Sequence, residues 1–223
     1  SAGSYTVVVT DGNGCKDQLT ETINNVGGPS VTLNGATPIC DGQSLTLTAN
    51  ATGGIGPYEY LWTPGGATTS SIVVSPSSTT TYTVQVTDAN DCVDSDAAEV
   101  VVYDNPELTI TPNNPEFCEG GNIQLSANVS GGTPDFSYTW TPATGLSCTD
   151  CPNPVANPAS TQTYTLTVED DNGCTDQETV TVTVNDNPEL SLVSKTDEIC
   201  GQGNGSITVT ATGGDGDFSY AWN

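Results

Sequence analysis

Apolar and polar residues alternate through most of this chain, and no long segment repeats its apolar residues at helical spacing. Leu45 and Leu47 alternate with Ser44, Thr46 and Thr48, and Tyr82, Val84 and Val86 alternate with Thr83, Gln85 and Thr87. Tyr164, Leu166 and Val168 repeat that face, followed by Val180, Val182 and Val184. A period of two belongs to a strand that buries one side. Between the runs lie Gly-Gly, Thr-Pro, Asp-Asn-Gly and Asn-Pro steps, which turn the chain by allowing φ > 0 or by fixing φ. Short strands with turns this closely spaced predict an all-β chain of antiparallel β-sandwiches.

The same order of motifs recurs at a spacing of roughly 80 residues. Cys40-Asp-Gly, Ser44–Ala49, Gly53-Gly54, Tyr58–Trp62-Thr-Pro, Thr81–Asp88 and Cys92 make one copy. Cys118-Glu-Gly, Gln124–Ala127, Gly131-Gly132, Phe136–Trp140-Thr-Pro, Thr163–Asp170 and Cys174 make the next. Ser4–Asp11 with Cys15 is a back end, and Cys200, Ser206–Ala211, Gly213-Gly214 and Trp222 are a front end. The expected organisation is a partial module at 1–27, complete modules at 28–104 and 105–187, and a partial module at 188–223, as in a window on a longer tandem array.

In immunoglobulin-like order, the second complete module reads as strand A near Glu107–Thr111, B near Ile123–Val129 and C near Phe136–Thr141. A short middle strand follows near Pro154–Ala156, then F at Thr163–Glu169 and G at Glu178–Asn185. Trp140 falls on strand C, where sandwiches bury a Trp between sheets. Tyr164 opens strand F, the place of a tyrosine corner whose hydroxyl bonds back to upstream backbone. Trp62 and Tyr82 hold the same two positions in the first module, so all four aromatics are expected in cores. The competing role for the Trp residues is a sugar-stacking platform.

Charge narrows the function. Against 27 acidic residues stand only Lys16 and Lys195, with no His, for a formal charge of −25. Such a chain lacks the cations that neutralise nucleic-acid phosphates and is repelled by anionic membrane surfaces. No apolar run approaches the ~18–20 residues needed to cross a bilayer as a helix, so direct membrane insertion is not expected. Eight cysteines without a methionine point to an oxidising, extracellular location. With no His and two isolated Lys, familiar triads and general-base His chemistry are excluded, and the carboxylates cluster in turns, so no enzyme is expected.

Particular stretches resemble PKD-like and SprB-type repeats of giant secreted bacterial surface proteins, including the adhesin of gliding motility. Cys200-Gly-Gln-Gly-Asn-Gly-Ser-Ile-Thr-Val-Thr-Ala-Thr-Gly-Gly and Gly3–Cys15 look like the SprB type. Trp140-Thr-Pro-Ala-Thr-Gly-Leu-Ser-Cys148-Thr-Asp-Cys151 and Asp170-Asp-Asn-Gly-Cys174 look like its PKD-like relative. The resemblance implies type IX secretion and a place on the outer surface of a Gram-negative-type bacterium.

Each complete module carries one cysteine before strand B and one just after strand F. These positions lie at opposite ends of a sandwich, about 20–27 Å apart for strands of six to eight residues, whereas disulfide Cα atoms must lie within about 7 Å. In a head-to-tail chain, however, the F–G end of one module faces its predecessor's A–B end. That predicts an inter-module bond between Cys40 and Cys174, leaving Cys15, Cys92, Cys118 and Cys200 to partners in modules outside the sequence. The rivals are the within-module pairs Cys40–Cys92 and Cys118–Cys174, and the sequential pairs Cys15–Cys40, Cys92–Cys118 and Cys174–Cys200. Cys148-Thr-Asp-Cys151 is expected to close a local disulfide, because the chain has no His for a zinc site and Pro152-Asn-Pro154 replaces the helix that a redox CxxC opens.

Asp104-Asn-Pro106 and Asp186-Asn-Pro188 resemble calcium-holding linkers between cadherin domains, making Asp104, Asp170 and Asp171 a candidate calcium set with Asp41 nearby. The simpler reading is an extended Asn-Pro linker beside solvated acidic turns. Asn50-Ala-Thr52, Asn128-Val-Ser130 and Asn204-Gly-Ser206 match glycosylation sequons. The combined expectation is a stiff stalk or filament segment of an extracellular adhesin, with neighbouring modules of the same chain as partners and other filament chains or surface glycans as further candidates. Directly adhesive repeats and spacers of a secreted enzyme are the alternatives.

Overall fold

A computed structural model describes residues 2–223, and no helix occurs among them. The chain divides into two compact units, Ser1–Tyr103 and Asp104–Asn223.

The first unit begins with β1 (Gly3–Thr10) and β2 (Lys16–Ile23), an antiparallel hairpin exposed along both strands. Next come β3 (Pro29–Asn34), β4 (Ile39–Cys40), β5 (Leu45–Gly53), β6 (Glu59–Thr63), β7 (Ser71–Val74), β8 (Thr80–Thr87), β9 (Val93–Val100) and β10 (Val102–Tyr103). They build a sandwich of one sheet ordered β3-β5-β7 and another ordered β6-β8-β9, while β4 pairs in parallel with β10. The inward alternation supplies the core: Val31, Leu47, Ala49 and Val74 from one sheet pack with Trp62, Tyr82, Val84, Val86 and Val100 from the other. Leu47, Val84 and Val86 are fully buried, and each such side chain contributes about 1.5–3 kcal/mol relative to exposure.

The second unit contains β11 (Pro106–Thr111), β12 (Glu116–Cys118), β13 (Ile123–Gln124), β14 (Ser126–Gly131), β15 (Ser137–Thr141), β16 (Val155–Ala156), β17 (Gln162–Glu169) and β18 (Thr175–Asn185). β12-β18-β17-β15 form one sheet, and β11-β14 and β13-β16 pair on the other side. Leu108, Ile110 and Leu125 meet Trp140, Tyr164, Leu166, Val168, Val180 and Val182 in the core. β19 (Pro188–Thr196) and β20 (Ser206–Gly213) follow as an antiparallel hairpin with a register shift between Leu192 and Ser194.

Three differences from the sequence reading have local causes. Strand B of the second module divides at Leu125 into β13 and β14. Its partner segment contains Pro152 and Pro154, which accept from Ala127 and Leu125 but have no N–H to return. Strand G starts earlier than expected, because the register continues to Glu169↔Thr175. The short strand β12, carrying Cys118, lies in parallel against the end of β18 and has too few residues to show a period.

Carboxylates of strand G also bridge the sheets. Asp94 Oδ2 accepts the Val31 N–H at 2.8 Å, Asp96 Oδ2 accepts the Leu33 N–H at 2.8 Å, and Asp176 Oδ2 accepts the Leu108 N–H at 2.7 Å. These carboxylate acceptors occupy outward backbone donors of strand A that would otherwise form an open sheet edge.

Candidate functional site

The four aromatics of strands C and F are all buried, with Trp62 at 0%, Trp140 at 2%, Tyr82 at 8% and Tyr164 at 0% exposure. The Trp62 indole N–H donates to the Thr69 carbonyl at 2.8 Å, and the Trp140 indole N–H donates to the Cys151 carbonyl at 3.0 Å. Neither ring offers a face for sugar stacking. Cys148 and Cys151 are disulfide-bonded, with Cα atoms 6.0 Å apart. The loop they close also accepts the Trp140 backbone N–H through Thr149. The staple therefore shapes the lid over Trp140, a link that the spacing of the two cysteines does not reveal.

Tyr164 and Tyr82 differ. The Tyr164 hydroxyl donates to the Thr144 carbonyl at 2.7 Å, and burial pushes this phenol above its ordinary value. The tyrosine-corner bond expected of Tyr82 does not form: its hydroxyl has no hydrogen bond among the described residues. The reason is the preceding connection. In the second module it runs from 142 to 154 and carries Thr144 over the tyrosine, whereas in the first it runs only from 64 to 70.

Three turns share one construction. Asp88 Oδ1 accepts the N–H groups of Asn90 and Cys92, both at 2.9 Å, while Oδ2 accepts that of Ile55 at 3.0 Å. Asp170 Oδ1 accepts from Asn172 at 3.0 Å and Cys174 at 2.8 Å, and Oδ2 accepts from Thr133 at 2.8 Å. Asp11 makes the local pair of bonds, to Asn13 at 2.9 Å and Cys15 at 2.8 Å. The Ile55 N–H, with those of Cys92 and Asn90, holds Asp88 below the usual carboxylate range despite burial. Burial pushes Asp170 upward, but the N–H donors of Thr133, Cys174, Asn172 and Gly173 outweigh it and the net shift is downward.

The Gly-Gly turns are packed onto these carboxylates. Gly54 has φ +58°, and a Cβ there would lie 2.5 Å from Asp88 Oδ2 and 2.9 Å from Pro29 N. Gly is required both by conformation and by space.

Asp170 is one of the three residues of the calcium expectation. Both oxygens of Asp170 are committed to backbone donors, and no group of three or more His, Cys, Asp or Glu residues that could hold a metal occurs among the described residues. A hard cation needs several convergent oxygens, and at Asp170 both carboxylate oxygens already accept backbone N–H groups.

Cys15, Cys92, Cys118 and Cys200 are free thiols. Neither the within-module pairs nor the sequential pairs form. Within the second module the geometry is plain: Cys118 sits opposite Asn185 at one end of β18, and Cys174 precedes Thr175 at the other. An 11-residue strand separates them, a distance of about 30 Å or more. In the first module Cys40 lies opposite Tyr103, while Cys92 adjoins Gly28, whose Cβ would lie 3.2 Å from the cysteine Cβ.

Comparison with known families matches the sandwich framework at particular places. The SprB-repeat family model matches residues 38–67 and 192–223. Two stretches of this chain are thus similar to the SprB repeat. The first runs from before Cys40 through Gly53-Gly54 to just past the buried Trp62, and the second from β19 through Gly213-Gly214 to Trp222. No curated protein matches the chain. Among solved structures, the N-terminal eight Ig domains of Down Syndrome Cell Adhesion Molecule align at 17% identity and TM-score 0.47, covering 82% of this chain and 28% of that one. A C-terminal 282-residue fragment of intimin, solved with the intimin-binding domain of its translocated receptor, aligns at 14% identity and TM-score 0.48, covering 76% of this chain and 67% of the fragment. The insect immune protein hemolin aligns at 12% identity and TM-score 0.40, covering 82% of this chain and 56% of its own. The SprB stretches and the Ig-like, disulfide-containing modules fit a repeat segment of an extracellular adhesin-type protein.

Proposed function

We propose that this segment is a spacer in a long bacterial surface adhesin, and that its modules are locked to one another by disulfides instead of each being closed on itself. The observation that carries the reading is the free state of Cys92 and Cys118, the cysteines each module would use to close its own ring. Separation along β18 removes Cys118 as a partner for Cys174 in the same sandwich. The remaining arrangement joins Cys40 to Cys174 across the junction and leaves Cys15, Cys92, Cys118 and Cys200 for equivalent bonds with further modules. A bond at each junction resists rotation of one module against the next, which suits a stalk that transmits force from a distal adhesive region to the cell. The chemistry of the surface agrees: 27 acidic residues keep parallel stalks apart, and two lysines leave few sites for trypsin-like proteases. Extracellular placement on an outer membrane, export by a type IX route and service in gliding belong to the same proposal.

The test is non-reducing peptide mapping after cleavage at acidic residues. A Cys40–Cys174 linked peptide is the expected product, and a Cys40–Cys92 peptide overturns the lock. Negative-stain images before and after reduction test its mechanical consequence. Reduction should loosen the segment, and identical particles in both states would count against a stiffening role.

A further inference from the structure

The two complete modules differ at one edge in a way that exposes a vacant binding position. In the second module, residues 145–147 run against the outer edge of β16, joined to it by an isolated β-bridge. Leu146 bridges Ala156, the Ser147 N–H donates to the Val155 carbonyl at 3.0 Å, and the Asn157 N–H donates to the Gly145 carbonyl at 2.7 Å. Leu146 packs against the core, and the neighbouring Thr144 carbonyl receives the Tyr164 hydroxyl.

Register superposes β7 on β16. Leu47 faces Ile72 as Leu125 faces Pro154, so Val73, Val74 and Ser75 correspond to Val155, Ala156 and Asn157. In the first module nothing occupies this edge among the described residues. β7 ends the sheet β3-β5-β7, and alternation along the ladder turns the Val73 N–H and C=O outward. Where Leu146 would lie there is instead an open groove of about 290 Å³, lined by Pro64, Ala67, Ile72, Val73, Val74 and Tyr82. Tyr82 lines this groove although it is more than nine-tenths buried, and its hydroxyl has no hydrogen-bond partner among the described residues. The positions 64–87 carry no charged residue, in a chain of net charge −25.

We propose that this edge of the first module binds an extended, uncharged peptide strand by β-augmentation. The ligand chemistry follows from the occupant of the sister site: a backbone carbonyl to accept the Tyr82 hydroxyl, a leucine-sized side chain two residues later for the groove, and backbone groups to pair with Val73 and Ser75. Main-chain pairing supplies affinity, and the apolar pocket with the tyrosine supplies selectivity. Glycans match this site poorly, since they offer neither a ladder of alternating N–H and C=O groups nor an aliphatic side chain.

The probe is a synthetic peptide of residues 142–147, Pro-Ala-Thr-Gly-Leu-Ser, titrated into the isotope-labelled 223-residue chain and followed by amide NMR shifts. Saturable shifts centred on Val73, Val74, Ser75 and Tyr82 are expected, with an affinity of about 1 mM for so short a strand. Tyr82→Phe should weaken binding roughly 5–10-fold, because one buried hydrogen bond is lost. Since that hydroxyl is unbonded in the free protein, the variant keeps its fold, which retention of the dispersed amide spectrum of β3, β5 and β8 in the first module checks. A peptide with serine in place of the leucine should bind more weakly still. Absence of saturable shifts at these amides up to about 10 mM peptide overturns the proposal. So does equal binding by the Tyr82→Phe variant, or a response at this edge to an oligosaccharide and not to the peptide.

Discussion

Replacing Tyr164 by Phe removes one oxygen from a fully buried side chain, and the same replacement at Tyr82 provides an internal control. The Tyr164 hydroxyl sits 2.7 Å from the Thr144 carbonyl, on a residue with 0% exposure. Its loss costs the net value of the bond, about 0.5–1.5 kcal/mol, and leaves a carbonyl in the loop without its donor, for about 1.5 kcal/mol in all. Tyr82 has no such bond to lose, so Tyr82→Phe should stay within about 0.5 kcal/mol of the parent protein. Hydrogen exchange read by mass spectrometry separates the modules, because peptides from 80–87 and 162–169 report on them individually. At about 1.4 kcal/mol per factor of ten, Tyr164→Phe should speed exchange in β17 roughly tenfold and leave β8 unchanged. In a melt the second module should lose about 6–12 °C, taking about 4–8 °C per kcal/mol for a domain of this size. Equal effects at the two tyrosines, or no effect at Tyr164, would refute the claim that the longer connection creates a corner in only one module.

The carboxylate turns predict a pH dependence. Asp88 and Asp170 are depressed below their ordinary values, so the stability they contribute is present above about pH 4 and lost as pH falls through the lower folded-state value. Asp88→Asn and Asp170→Asn variants should flatten the acid limb of a stability–pH curve, and an unchanged limb refutes the assignment. Gly54→Ala places a methyl 2.5 Å from Asp88 Oδ2 at φ +58°, and urea unfolding should show a loss of about 1–3 kcal/mol in the first module. Replacing Cys148 and Cys151 together by serine removes a short loop closure worth about 2 kcal/mol and loosens the lid on Trp140. Its fluorescence should shift to the red and the second module should melt earlier, while an unchanged melt would show that the loop is held without the staple.

Much of the sandwich was legible because its signal is local. Tyr82, Val84 and Val86 lie on one face of a strand whatever surrounds them, and Gly54 marks a turn that needs φ > 0. Cysteine spacing placed each pair of positions at opposite ends of a module, since strand length sets a distance no disulfide can span. The rest required packing. Asp88 and Asp170 read from sequence as acidic turn residues, and only the folded chain brings the N–H groups of Ile55 and Thr133 onto their oxygens. Tyr82 and Tyr164 occupy one sequence position with one alternation pattern, yet only Tyr164 meets a carbonyl, because the connection that supplies it approaches from outside the strand. Periodicity determines which way a side chain points. Only tertiary structure determines what it meets, and that decided which tyrosine is satisfied and which is left facing an open groove.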